Sequence, residues 1–78
     1  MAVVETEVRR TLQTDIESPT AKLVFLSLVE QGRATVEELQ ARLGEPRLTL
    51  YGVLGSLEKK GIVTVAEDGT GRRYEPAV

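Results

Sequence analysis

Residues 35–65 read TVEELQARLGEPRLTLYGVLGSLEKKGIVTV, and most of the architecture follows from this stretch. Thr35-Val36-Glu37-Glu38 has the spacing of a capping box. The Thr35 hydroxyl can accept from the Glu38 N–H while the Glu38 carboxylate reaches back to the Thr35 N–H. Val36, Leu39 and Leu43 then mark one face of a two-turn helix that Gly44 closes. Pro46 opens a further helix in its first turn, with Leu50, Val53, Leu54 and Leu57 as its apolar stripe and Gly61 at its end. Beyond it, Ile62-Val63-Thr64-Val65 is β-branched and strand-like.

Two helices separated by a tight Gly44-Glu45-Pro46 turn form a helix-turn-helix unit. Working outward, Glu67-Asp68-Gly69-Thr70-Gly71 reads as a turn, and Arg72-Arg73-Tyr74-Glu75-Pro76 as the returning strand of a hairpin. On the other side, Arg33-Ala34 is a brief extended link. Before it lies a helix with Ser18 as N-cap, Pro19 in the first helical position and Gly32 at its C-terminal end. Leu23, Val24, Phe25, Leu26, Leu28 and Val29 cover most of its circumference, which marks it as the central, most buried helix. Val4, Val8 and Leu12 form one narrow stripe on a short helix over roughly residues 3–13. A helix this short must pack on something, either its own domain or a second copy. The expected fold is α+β: a winged helix-turn-helix with three core helices, a C-terminal two-stranded wing and a short N-terminal helix. Residues 1–17 form the N-terminal helix and link, and residues 18–78 the domain proper.

The 78 residues make one domain. With neither cysteine nor histidine in the sequence, disulfides, Cys/His metal sites and the usual proton shuttle are excluded. No metal or cofactor is expected. An enzyme is not expected either, because the acidic residues fall at exposed positions and Gly69-Thr70-Gly71 is too short for a phosphate-cradling loop. No apolar run spans a bilayer and Met1-Ala2-Val3-Val4-Glu5 lacks the features of a signal peptide, so a cytoplasmic location is expected.

Net charge is −2, with 10 basic and 12 acidic residues. The balance is uneven: residues 1–32 carry −2 and residues 33–73 carry +1. Binding to nucleic acid depends on a basic face more than on net charge, although non-specific affinity should be weak. Arginine outnumbers lysine seven to three, which would also suit a salt-rich cytoplasm.

From Ala21 to Val65 the chain resembles the winged-helix domain of TrmB-like archaeal and bacterial regulators, and more distantly those of MarR and ArsR regulators. Ala34-Thr35-Val36-Glu37-Glu38-Leu39, Pro46-Arg47, Leu50-Tyr51 and Ser56-Leu57-Glu58-Lys59-Lys60-Gly61-Ile62-Val63 carry the likeness. The resemblance implies a homodimeric transcription regulator that places its third core helix in the major groove of double-stranded DNA. TrmB-like proteins usually carry a long effector-binding region after this domain. Nothing follows Val78 here, so sugar sensing is not expected to carry over.

At about 100° per residue, the side of the third core helix (46–60) opposite its apolar stripe carries Leu48, Gly52, Gly55 and Lys59, flanked by Thr49, Tyr51 and Ser56. In a winged helix this face meets the major groove, its N-terminal part nearest the base edges. Arg47, at the helix start, has the fork that matches guanine or phosphate; a solvated first-turn arginine is the plainer reading. Thr49 and Ser56 can donate to phosphates or bases. Tyr51 is divided between packing against the preceding helix and giving its hydroxyl to a phosphate. Arg72 and Arg73 stand in the wing (68–73), at flanking backbone, and alternation allows only one of them to point with the wing tip. Lys59 also suits the helix dipole without any ligand. Gly52 and Gly55 each cost roughly 1 kcal/mol relative to alanine inside a helix, so something needs the backbone close. The apolar character of Leu48, Gly52 and Gly55 leaves a second reading open, a winged helix used as a protein-interaction module.

Overall fold

The computed structural model describes residues 2–67, 69 and 71–77, with only the backbone of Ala2, Val3 and Val4. In order come α1 (Ala2–Arg10), a π-helical turn (Thr11–Asp15), α2 (Pro19–Gln31), α3 (Val36–Leu43), α4 (Arg47–Lys59), β1 (Val63–Glu67) and β2 (Arg72–Pro76). This is a winged helix-turn-helix with one additional N-terminal helix, as expected.

The caps act as the sequence implied. Ser18 Oγ accepts from the Ala21 N–H at 3.3 Å, with Pro19 in the first turn. Thr35 Oγ1 accepts from the Glu38 N–H at 3.1 Å, and the Thr35 N–H donates to Glu38 Oε1 at 2.9 Å. Together these bonds satisfy two amides that a helix start would otherwise leave without partners. Gly44 takes the left-handed conformation, φ 70° and ψ 15°, and turns the chain from α3 into α4.

Three boundaries move. Pro46 is the residue before α4, at φ −60° and ψ 146°, and the helix runs 47–59 instead of 46–60. The N-terminal helix does not stop near residue 13. It widens into a π-helical turn through Asp15, with Thr14 Oγ1 donating to the Arg10 carbonyl. Such turns occur mostly as single-turn bulges within α-helices; here one ends the helix. β1 continues past Val65 to Glu67.

Val24, Phe25 and Leu28 of α2, Leu39 of α3, and Leu50, Leu54 and Leu57 of α4 form the centre of the core. Ile16, Ala34, Ile62, Val63 and Tyr74 close it at the edges. Val53 is only partly buried and packs on this cluster. α2 is the central helix, with Val24, Phe25 and Leu28 fully buried, but Leu23 on its apolar circumference is 54% exposed. Leu26 and Val29 are half-buried. The reason is that α3, α4 and the hairpin cover one side of α2, while α1 is too short to cover the rest.

Val8 and Leu12 pack against the core, so α1 docks on its own domain. The side chain of Val4, the first member of that stripe, lies outside the described residues.

The hairpin is antiparallel, pairing Val63 with Pro76, Val65 with Tyr74 and Glu67 with Arg72. Asp68 and Thr70, assigned to its turn by the sequence, lie outside the described residues. Ala34 does more than link two helices. Its N–H donates to the Tyr74 carbonyl at 3.0 Å and its carbonyl accepts from the Tyr74 N–H at 2.8 Å. This exchange anchors the wing to the α2–α3 connection, and buried Tyr74 sits at the junction.

Candidate nucleic-acid interface

The outer face of α4 is open. Leu50, Leu54 and Leu57 hold the helix to the core, which turns Arg47, Leu48, Thr49, Tyr51, Gly52, Gly55, Ser56 and Lys59 outward, all of them exposed. Leu48 is 85% exposed and Tyr51 47%. A Cβ built on Gly52 or Gly55 meets nothing within 4 Å. Neither glycine has a positive φ, so neither the backbone nor the packing of this chain requires glycine there.

Around the start of α4 three elements converge. Val36 and Glu37 of α3, Tyr51 of α4, and Arg72 and Tyr74 of β2 line a cleft of about 150 Å³. Tyr51 is one turn beyond Arg47, whose Nη2 lies 3.2 Å from Glu37 Oε2. Arg72 Nε lies 3.3 Å from Glu67 Oε1, its partner across the hairpin. Alternation along β2 puts Arg72 on the same face as Tyr74. Glu37 therefore stands between the start of the helix and the base of the wing.

Arg73 behaves differently from Arg72. It is half-buried, and its charge helps hold the Glu38 carboxyl below its ordinary range. The larger cause is the hydrogen bond from the Thr35 backbone N–H, and Arg42 adds a smaller one. Of the two wing arginines, Arg72 is the one that faces the cleft.

Sequence reasoning had assigned Glu37 no part in this site. An acidic residue in the first turn of a helix is already accounted for by the dipole. Nothing in its spacing from Arg47 signals an ion pair across a turn.

A second apolar surface lies along the π-helical turn and α2. Leu12, Pro19, Leu23 and Leu26, with Gln13 and Lys22, line a shallow groove of about 360 Å³. Leu12 also lines a neighbouring groove with Val8, Val29, Glu5 and Arg9. Among the described residues, no helix is long and apolar enough to cross a membrane.

A helix-turn-helix whose second helix is held by its inner stripe, beside a paired wing, defines a winged helix-turn-helix domain. Over residues 18–78 the chain matches the family described as the sugar-specific transcriptional regulator TrmB, and it belongs to that family. The match begins at Ser18, the N-cap of α2. Membership makes this a DNA-binding helix-turn-helix domain of a transcriptional regulator, a non-enzymatic role. No curated protein and no solved structure gives a significant match.

Proposed function

We propose that the chain binds double-stranded DNA by laying α4 in the major groove and setting the wing on the flanking backbone. The carrying observation is the convergence of Tyr51 and Arg72 on one cleft at the foot of an otherwise open helix face, with Arg47 paired to Glu37 in the wall of that cleft. Arg47 and Lys59 neutralise phosphates at the two ends of α4, and Arg72 does so from the wing. Thr49, Tyr51 and Ser56 donate hydroxyls along the helix. Leu48, Gly52 and Gly55 bring its surface close to the bases. Arg73 contributes charge from the far face of the hairpin, behind Arg72.

The working unit is a homodimer, which matches the two-fold symmetry of most DNA sites. Its contact uses the α1–α2 surface, where Leu12, Leu23 and Leu26 leave apolar area uncovered. We place the protein in the cytoplasm, with its DNA.

Backbone amide shifts during titration with a generic duplex, at low and at moderate salt, test this. Shifts confined to residues 47–59 and 69–73 that fade as salt rises are expected. An intact fold with no shifts at low salt would remove the DNA reading.

A second reading is favoured by the exposure of Leu48 and Tyr51 beside two glycines, and by the pairing of both Arg47 and Arg72 with carboxylates. Such a face also suits a protein partner, with α4 as its docking helix. Gly52→Arg separates the two: on the protein reading it abolishes the protein contact while non-specific DNA affinity stays flat or rises, and on the DNA reading it weakens DNA binding.

A further inference from the structure

The crest of α4, the line pointing directly away from the core, runs Leu48, Gly52, Gly55, Lys59, all within about 60° of one another at 100° per residue. Along its first two turns Leu48 is the only side chain larger than hydrogen. It is 85% exposed, and as the second residue of the helix it occupies the part that docks nearest the base edges in a helix-turn-helix. Its neighbour Arg47 is drawn aside to Glu37. The glycines behind it offer no obstacle to a surface approaching the backbone.

A leucine cannot donate or accept a hydrogen bond. Pressed against guanine N7 and O6, adenine N7 and N6, or cytosine N4, it would displace water from polar atoms without replacing the bonds lost. The major-groove edge offers one apolar feature, the C5-methyl of thymine. We propose that Leu48 is a specificity-determining residue of this protein, reading thymine through that methyl group. This rests on the major-groove docking proposed above and adds the chemistry of its base readout. Positions facing Leu48 then favour thymine, with phosphate contacts setting affinity and this contact setting sequence.

The test uses the full chain and short duplexes with a randomised central segment, selected for binding at low salt. In the preferred duplex, each thymine is replaced in turn by deoxyuridine, which removes only the methyl. Wild type should lose about fourfold in affinity at one position per bound copy, the value expected for one buried methyl. Leu48→Ala should bind with no thymine–uracil discrimination there, and should melt close to wild type because the residue is 85% exposed. The proposal is overturned if binding persists and no deoxyuridine matters, or if the discrimination survives in Leu48→Ala. Failure to bind any duplex at low salt overturns the major-groove reading itself, and the leucine assignment with it.

Discussion

Arg47 Nη2 lies 3.2 Å from Glu37 Oε2, so the first residue of α4 is ion-paired to the first turn of the helix before it. Both side chains are more than half exposed. A pair this solvated contributes roughly 0–1 kcal/mol, so a phosphate can displace the carboxylate at little cost. Glu37 nevertheless keeps a negative charge where the DNA backbone would pass. Glu37→Gln should therefore raise affinity for a generic duplex by up to about fivefold at low salt, the range such a pair can withhold. The gain should shrink at moderate salt. Anisotropy titration measures it; an unchanged affinity would mean that Glu37 does not face the DNA.

The glycines of α4 give a prediction in which stability and binding move in opposite directions. Both lie in a helix at ordinary φ, and an added Cβ meets nothing within 4 Å at either. Gly52→Ala and Gly55→Ala should each stabilise the fold by about 1 kcal/mol through helix propensity. For a domain of this size that raises Tm by about 4–8 °C. If the groove approaches the backbone there, each should also weaken DNA binding. A stabilised variant that binds as wild type does would show that the helix stays clear of the bases.

How much of this was legible in the sequence depends on the range of the interaction. Ser18, Thr35 with Glu38, and Gly44 act within four residues, and their local chemistry settles their roles. Leu50, Leu54 and Leu57 follow from periodicity alone. The Ala34–Tyr74 exchange and the Arg47–Glu37 pair join residues whose proximity depends on how α3, α4 and the hairpin pack, and no local pattern reports that. Leu23 shows the converse limit: a leucine on a mostly apolar helix is buried only if the chain has another element to cover it.

The capping box gives a stability prediction with a defined pH window. Thr35→Ala should cost about 1 kcal/mol, the usual value for a lost N-cap. Glu38 has its carboxyl held below its ordinary 4.5 by the Thr35 N–H and, less strongly, by Arg73 and Arg42. A carboxylate lowered on folding adds stability above its unfolded value and loses it as pH falls through the folded one. The contribution is therefore complete well above 4.5, and is lost as pH falls below that value and through the lowered folded one. Denaturant melts of wild type and Glu38→Gln should converge in that acidic range. Curves that stay parallel down to the acid limit would remove Glu38 as the group responsible.

Leu23 carries the last prediction. It is 54% exposed on a helix whose neighbours Val24 and Phe25 are buried, and it lines the groove with Leu12 and Leu26. If a second copy covers this surface, Leu23→Glu places a charge in an apolar contact, where desolvation is costly without a partner. The folded chain itself should tolerate the change, because the side chain already meets water. Sedimentation at high micromolar concentration should then show a dimer for wild type and a monomer of unchanged helicity for Leu23→Glu, with DNA affinity reduced through the loss of the second half-site. A wild-type monomer at that concentration would remove the dimer. A dimer that survives Leu23→Glu would place its contact elsewhere, away from the α1–α2 groove.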